Sequence, residues 1–357
     1  MANIYVTSAG NDGSGDGSSG SPYLTISKAF AEAANSDVII VNDSATYTVA
    51  TGGANQVISA GGALKSSLTF KAGTDCTPIF DGADSAVYCF KTWTAWTIQG
   101  LTFRNFATTG GNANSIIHGY SGYNIVGYVS DCVFYDSTGG AIYLQGAGST
   151  VLRNKIYNVD KRGVDCNIGD ATTIVKNNLI YDCGDAAILG TSITVEHNTI
   201  YNCPRSINFV EQNYALRAAI ARFNIVSGSN VNVSAINAAA HSYNCVAGAY
   251  DSHNSPTSYN NNGGDTSLGT GDVAGSPIFT DEANDDYTLG PGSPGRGASV
   301  GSTTTDDLLS KSRQWSYDHK VLGRNTANDE EMGCYEHEGK ILGVATQNIA
   351  KVMGQSG

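Results

Sequence analysis

The sequence predicts an all-β chain wound as a parallel β-helix, and three observations carry that reading. A short motif recurs: "GLTFRN", "DCVFYD", "RNKIYN", "NNLIYD" and "HNTIYN" set apolar anchors at Phe103, Phe134, Ile156, Ile180 and Ile200, with a weaker "FNIVSG" at Val226. These anchors stand 31, 22, 24, 20 and 26 residues apart, a spacing typical of solenoid repeats. Each period also holds a second apolar segment ("GAIYLQG", "RGVDCNIG", "DAAILGT", "RSINFVE") and a third leading into the next anchor ("STVLRN", "TTIVKN", "SITVEHN"). Three short strands separated by Gly, Asn and Asp turns are the content of one β-helix coil. Finally, 43 glycines against 7 prolines call for many tight turns and argue against a helical bundle. Leucine-rich repeats have similar periods, but the L-x-x-L-x-L spacing is missing.

Coils stacked about 4.8 Å apart turn matching positions into columns. Ile156, Ile180 and Ile200 are expected to point inward, and Asn154, Asn178, Asn198 and Asn224 to stack at a turn, where amides satisfy one another and the backbone. Cys183 and Cys203 share a column with Val159. In-register stacking keeps their Cβ atoms beyond the ~3.8 Å that a disulfide prefers, so both are expected to be reduced core thiols. Tyr135, Tyr157, Tyr181 and Tyr201 follow the anchors and therefore face outward. They form either a carbohydrate-binding platform that stacks on sugar rings or a ladder that covers the sheet.

The opening "IYVTSAGNDGSGDGSSGSPYLTISKAFAEAANSDVIIV" resembles the start of the pectate-lyase-like superfamily of right-handed parallel β-helix proteins. "GSPIFTDEANDDYTLGPGSPGRGAS" and "MGCYEHEG" are similar to its closing segments. The resemblance implies a right-handed, single-stranded parallel β-helix with an N-terminal capping helix and a loop-rich C-terminal cap. Leu24, Ile26, Ala29, Phe30 and Ala33 would supply the apolar face of that helix. The superfamily includes lyases, hydrolases, epimerases and non-catalytic viral proteins, so the resemblance implies fold rather than activity.

The expected organisation is an N-terminal cap at 1–37, coils at 38–247, C-terminal loops and a closing segment at 248–339, and a tail at 340–357. "DGSGDG" (12–17) matches half of a calcium-binding loop, but Tyr23 stands where the bidentate glutamate belongs, so a cap turn is expected. "FATTGGNANSIIHGYSGYN" accounts for the 31-residue step and is expected to protrude from its coil. "AYDSHNSPTSYNNNGGDTSLGTGD" reads as a long surface loop. The tail "KILGVATQNIAKVMGQSG" nearly repeats itself at a spacing of 11 and is similar to tail segments of bacteriophage virion proteins.

A net charge of −12 repels nucleic acid and anionic membrane, and no basic stripe offsets it. No apolar run approaches the ~20 residues that span a bilayer, and the N-terminus lacks the pattern of an export signal. The expectation is a chain made in the host cytoplasm and carried on a virion, with secretion as the alternative. Its partners would be itself, as a homotrimer, or other virion proteins, and a cell-surface polysaccharide.

The richest candidate surface for chemistry is "YNVDKRGVDCNIGD". A polysaccharide lyase needs a base for the C5 proton and a cation, often Ca²⁺, to neutralise the uronate. Lys161 and Arg162 are the candidate bases, and stacking sets them near Asp185 and then Arg205. Asp165 and Asp185 are the candidate carboxylate pair of an inverting hydrolase. A solvated ion-pair ladder has the same pattern. No zinc, serine-hydrolase or nucleotide motif is present, and the six histidines are dispersed. Two functions are expected from this: a tailspike or capsid-surface protein of a bacteriophage, structural and glycan-binding, or a polysaccharide lyase or hydrolase acting on an acidic glycan. No cofactor is required by the first, and Ca²⁺ would serve only the lyase.

Overall fold

The computed structural model describes residues 1–58, 64–107, 115–119, 127–146, 148–166, 173–191, 193–209, 220–228, 231–234, 241–242, 244–247, 271–284, 286–294, 340–341 and 344–345. Among these residues the chain winds through three long sheets of ten, ten and eight strands. Every strand in them pairs in parallel with the strand one coil away. One coil runs through Thr150–Leu152 in the first sheet, Lys155–Val159 in the second and Val164–Cys166 in the third.

The anchors stack as the repeat requires. Phe80, Phe103, Phe134, Ile156, Ile180, Ile200, Val226 and Val246 are consecutive partners across the second sheet, and all are fully buried. The column is aromatic in the N-terminal coils, where Phe103 and Phe134 stack at 4.9 Å with planes 13° apart, and aliphatic beyond. Phe90, Ile117, Ile142, Val164, Ile188 and Ile207 form the matching interior column of the third sheet.

Two columns of left-handed backbone shape each coil. At the turn from first to second sheet, Asp131, Arg153, Asn177, His197 and Phe223 have φ between 53° and 58°. The residue after each of the last four is the buried asparagine of the ladder. Asn178 Nδ2 donates to Asn198 Oδ1 at 2.9 Å, and Asn198 Nδ2 donates to Asn224 Oδ1 at 3.0 Å. The ladder continues through Asn244 and ends on the Asp272 carboxylate. The second column lies two residues after the anchors: Asn105, Asp136, Asn158, Asp182 and Asn202, with φ of 49–56°, followed by Gly228 at 66°. Asn and Asp tolerate this conformation better than other side chains. They also alternate along the column, so that Asn158 donates to Asp136 and Asn202 to Asp182, each at 2.5 Å.

The N-terminal segment is part of the solenoid as well as its lid. Strand Asn3–Val6 pairs with Val38–Val41 as the first strand of the first sheet. Helix α1 (Ile26–Glu32) then closes the end, burying Ile26, Ala29 and Phe30. Thr25 caps the helix by accepting the Lys28 N–H at 3.1 Å. Asp12 of "DGSGDG" holds that cap in turn, accepting from Leu24 N, Thr25 N and Thr25 Oγ1 at 2.7–3.0 Å. Leu24 itself precedes the helix and is 41% exposed, so it is not on the apolar face the sequence pattern assigned to it. Among the expected apolar-face residues, Ala33 is buried as the C-cap.

Two more features depart from the sequence expectation. Ser115–Gly119 does not protrude but is a regular rung of the third sheet, pairing with Phe90–Thr92 and Gly140–Leu144; its apolar Ile116 and Ile117 were overlooked between two glycine-rich flanks. Coil-type pairing also extends past residue 247, since Val273–Ala274 pairs in parallel with Cys245–Val246. A two-stranded antiparallel hairpin follows, Phe279–Asp281 with Asp286–Leu289. Of the loop expected at 249–272, all but Gly271 and Asp272 lies outside the described residues. So does most of the tail, of which only the antiparallel pair Lys340–Ile341 and Val344–Ala345 is described.

Candidate functional site

The turn from the second to the third sheet brings four charged side chains into one column. Arg162 Nη1 donates to Asp165 Oδ2 at 2.6 Å and Arg162 Nε to Asp185 Oδ2 at 3.0 Å. Arg205 Nη2 donates to the other oxygen of Asp185. Sequence separations of 23 and 20 residues for the last two contacts show that the coil period assembles the column. Burial first, and the neighbouring Arg162 second, lower the Arg205 guanidinium from its ordinary pKa. Lys161 is half-buried beside the column, its carbonyl accepting the Asp185 N–H at 3.2 Å. Among the described residues its ammonium makes no ion pair.

This geometry constrains the chemistry. Hydrolases that invert place two carboxylates about 6.5–9.5 Å apart with a water between them. Here a guanidinium bonded to both Asp165 and Asp185 takes that place. A guanidinium keeps its proton in proteins, so Arg162 serves as a fixed cation rather than a base. Ca²⁺ needs several carboxylate or carbonyl oxygens. Among the described residues no three His, Cys, Asp or Glu side chains gather, and Asp165 and Asp185 already turn oxygens to guanidinium groups. The residues do not fit a calcium site.

Asp165 also belongs to a second row that the sequence did not reveal. Lys91, His118, Tyr143, Asp165, Leu189 and Asn208 are consecutive partners across the third sheet. They alternate with the interior column and so face outward. Even so, His118 is only 5% exposed, Tyr143 8% and Asp165 1%. The rings of His118 and Tyr143 lie 4.9 Å apart. The signal was missed because His118 sits in the glycine-rich segment read as a protrusion; counting it as a coil would have set it in register with Tyr143.

The outward tyrosines form a ladder whose ring faces meet each other. Tyr135 and Tyr157 stack at 5.2 Å and 4°, and Tyr157 and Tyr181 at 5.0 Å and 3°. The hairpin then folds back onto the outer face of the second sheet. Tyr287 packs on Tyr181 at 4.9 Å and on Tyr201 at 5.4 Å, while Phe279 meets Tyr201 edge-on at 5.8 Å. Leu179, Ile225, Cys245 and Leu289 join them in a second apolar cluster. Tyr181 is consequently 2% exposed and offers no face to a ligand, whereas Tyr135 and Tyr157 remain half-buried. A hydrogen bond to Glu282, and then burial, raise the Tyr201 hydroxyl pKa.

Beside the charged column lies an open cleft lined by Asp160, Asp182, Asn202, Pro204 and the backbone of Gly184 and Gly228. Its floor is the pair Cys183 and Cys203, both free thiols. The cleft offers carboxylates, an amide and peptide groups on a backbone that the left-handed column holds in place.

A family model described as the right handed beta helix region matches residues 85–262. The fold is a right-handed parallel β-helix. No curated protein sequence matches the chain. Among solved structures, the β-helix is similar to a rhamnogalacturonan lyase (17% identity, TM-score 0.44, covering 68% of this chain and 87% of that one). It is also similar to pectate lyase Pel9A (15%, TM-score 0.44, 94% and 96%), and to XylC in complex with xylose (12%, TM-score 0.46, 69% and 68%).

Proposed function

We propose that this β-helix is a virion surface protein, a tailspike or capsid-surface component, that binds a host-cell glycan without cleaving it. The observation that carries the non-catalytic half is the pairing of Arg162 with both Asp165 and Asp185, which ties up the groups that chemistry would use. The open cleft beside them supports binding: its carboxylates, amide and peptide groups suit sugar hydroxyls, and solenoid edges are rigid platforms for such contacts. The virion setting rests on the likeness of the tail to bacteriophage virion segments, and the same likeness motivates assembly as a homotrimer.

The test is a panel of uronate and neutral polysaccharides, incubated with the protein with and without Ca²⁺. The expected result is saturable binding, weakened by Asp182→Ala or Asn202→Ala, with no unsaturated product and no new reducing ends. Product formation would replace this reading with a lyase or hydrolase acting on an acidic glycan. One observation favours that second reading: His118 and Tyr143 lie in one outward row with Asp165, where a proton-transferring pair would be well placed. Sedimentation of the intact chain checks the trimer.

A further inference from the structure

The charged groups that line the open cleft are of one sign. They are Asp160 and Asp182, and both are exposed. The guanidinium groups of the neighbouring turn are turned to carboxylates, Arg162 to Asp165 and Asp185 and Arg205 to Asp185. Lys161 lies on the same turn but does not line the cleft. An anionic ligand entering here therefore meets two carboxylates and, within the lining, no cation.

Two residues without side chains shape the walls. A Cβ at Gly184 would lie 2.3 Å from the Asp160 carbonyl oxygen, and one at Gly228, where φ is 66°, would lie 3.0 Å from Asn202 N. Gly184 thus lets the Asp160 backbone come close, and Gly228 leaves space over Asn202. The volume enclosed, about 360 Å³, falls at the lower end of the roughly 300–1,000 Å³ of small-molecule sites. Asn202 Nδ2 donates to Asp182 Oδ1 at 2.5 Å, and an amide carries a second N–H to offer. Carboxylate acceptors beside an amide donor match sugar hydroxyls, which both donate and accept. The acid group of a uronate only accepts, so two of the three side chains have nothing to give it.

We infer that the cleft selects neutral glycans and rejects polymers of uronic acid, with Asp160 and Asp182 as the residues that set the preference. The inference rests on the reading of the cleft as a glycan site and adds the class of glycan to it. Selection of this kind works by penalising the wrong ligand. A uronate carboxylate held in the cleft is repelled by two like charges, and in a solvent-exposed setting that repulsion amounts to about tenfold in affinity.

Matched polymers are the probe. A glucan, a galactan and a mannan, each paired with the same polymer oxidised at C6 to its uronate, are titrated onto the intact chain. For every pair that binds, the neutral form is expected to bind about tenfold tighter than the oxidised form at low salt. The ratio should shrink at 1 M salt, where the screening length falls to about 3 Å, and approach one in the double variant Asp160→Asn, Asp182→Asn. Asparagine already holds the left-handed position at 158 and 202, so Asp182→Asn suits the backbone, and a melting temperature near the parent's checks the fold. Equal or tighter binding of an oxidised form, a ratio unchanged in the variant, or a glucosamine polymer bound in place of the neutral ones each overturns the inference and leaves the glycan reading standing. Binding of none of the polymers overturns both.

Discussion

Asn178 lies between Asn154 and Asn198 as both donor and acceptor: its Nδ2 reaches Asn198 Oδ1 at 2.9 Å while its Oδ1 accepts Asn154 N at 2.9 Å and Asn154 Nδ2 at 3.0 Å. Its amide also donates to the carbonyls of Val151 and Lys176. One fully buried side chain thus satisfies the backbone of two coils. Asn178→Ala strands the Asn154 N–H away from water and takes a donor from the Val151 carbonyl, while the Lys176 carbonyl keeps the Arg153 N–H; the expected loss is roughly 2–4 kcal/mol, since each abandoned buried group costs about 1–3 kcal/mol. Urea unfolding measures it; a loss below about 1 kcal/mol would mean that water replaces the amide.

Ile180 is fully buried between Ile156 and Ile200. Ile180→Asp places a charge in a dry column and is expected to cost several kcal/mol. An unchanged melting temperature would contradict the register.

Arg162→Ala removes the cation shared by two carboxylates, one of which, Asp165, is almost wholly buried. Breaking a buried pair from one side costs about 3–5 kcal/mol, so the variant should melt well below the parent. Asp165→Asn in the same background should restore part of the loss, and calorimetry on the single and double variants reads the difference directly.

The thiols give the pH dependence. Burial pushes Cys132 and Cys245 up to about 12. Cys183 is also raised, by its hydrogen bond with Cys203 first and by burial second. A raised pKa means that the folded chain keeps protons the unfolded chain has released. The associated stability is complete below the ordinary thiol value of about 8.5 and is lost as pH climbs toward the folded values. Denaturation midpoints should therefore fall progressively above pH ~8.5, and replacing Cys132 with Ala should flatten that slope. Thiol titration after denaturation without reductant should find Cys183 and Cys203 free; a bridged peptide joining them would contradict the stacking.

The repeating features were legible in the sequence because they are local and periodic. Ile156, Ile180 and Ile200, the asparagine ladder and the unbridged cysteines all follow from counting residues between copies of one motif. The charged column was legible for the same reason: Arg162, Asp185 and Arg205 are a coil apart. Long-range packing left no periodic mark. Nothing near Tyr181 announces that Tyr287, more than a hundred residues later, will cover it, and that contact helps leave Tyr181 almost wholly buried while Tyr135 and Tyr157 stay half-buried. His118 was lost through a local error, since glycines on both sides of "SIIHG" outweighed its apolar pair. Asp and Asn after each tyrosine were readable as left-handed positions, because Gly228 stands in the same place in the motif.

That last column limits how such a chain can change length. Asp136 is served by Asn158 and Asp182 by Asn202, so the coils come in twos. Excising the coil that carries Asn158 would bring Asp136 against Asp182, setting like charges side by side across neighbouring strands; excising two coils would leave the alternation intact. Gain or loss of coils by duplication and deletion should thus proceed in steps of two along this stretch, and a family tree built on coil number would show parity where residue identity has long since drifted.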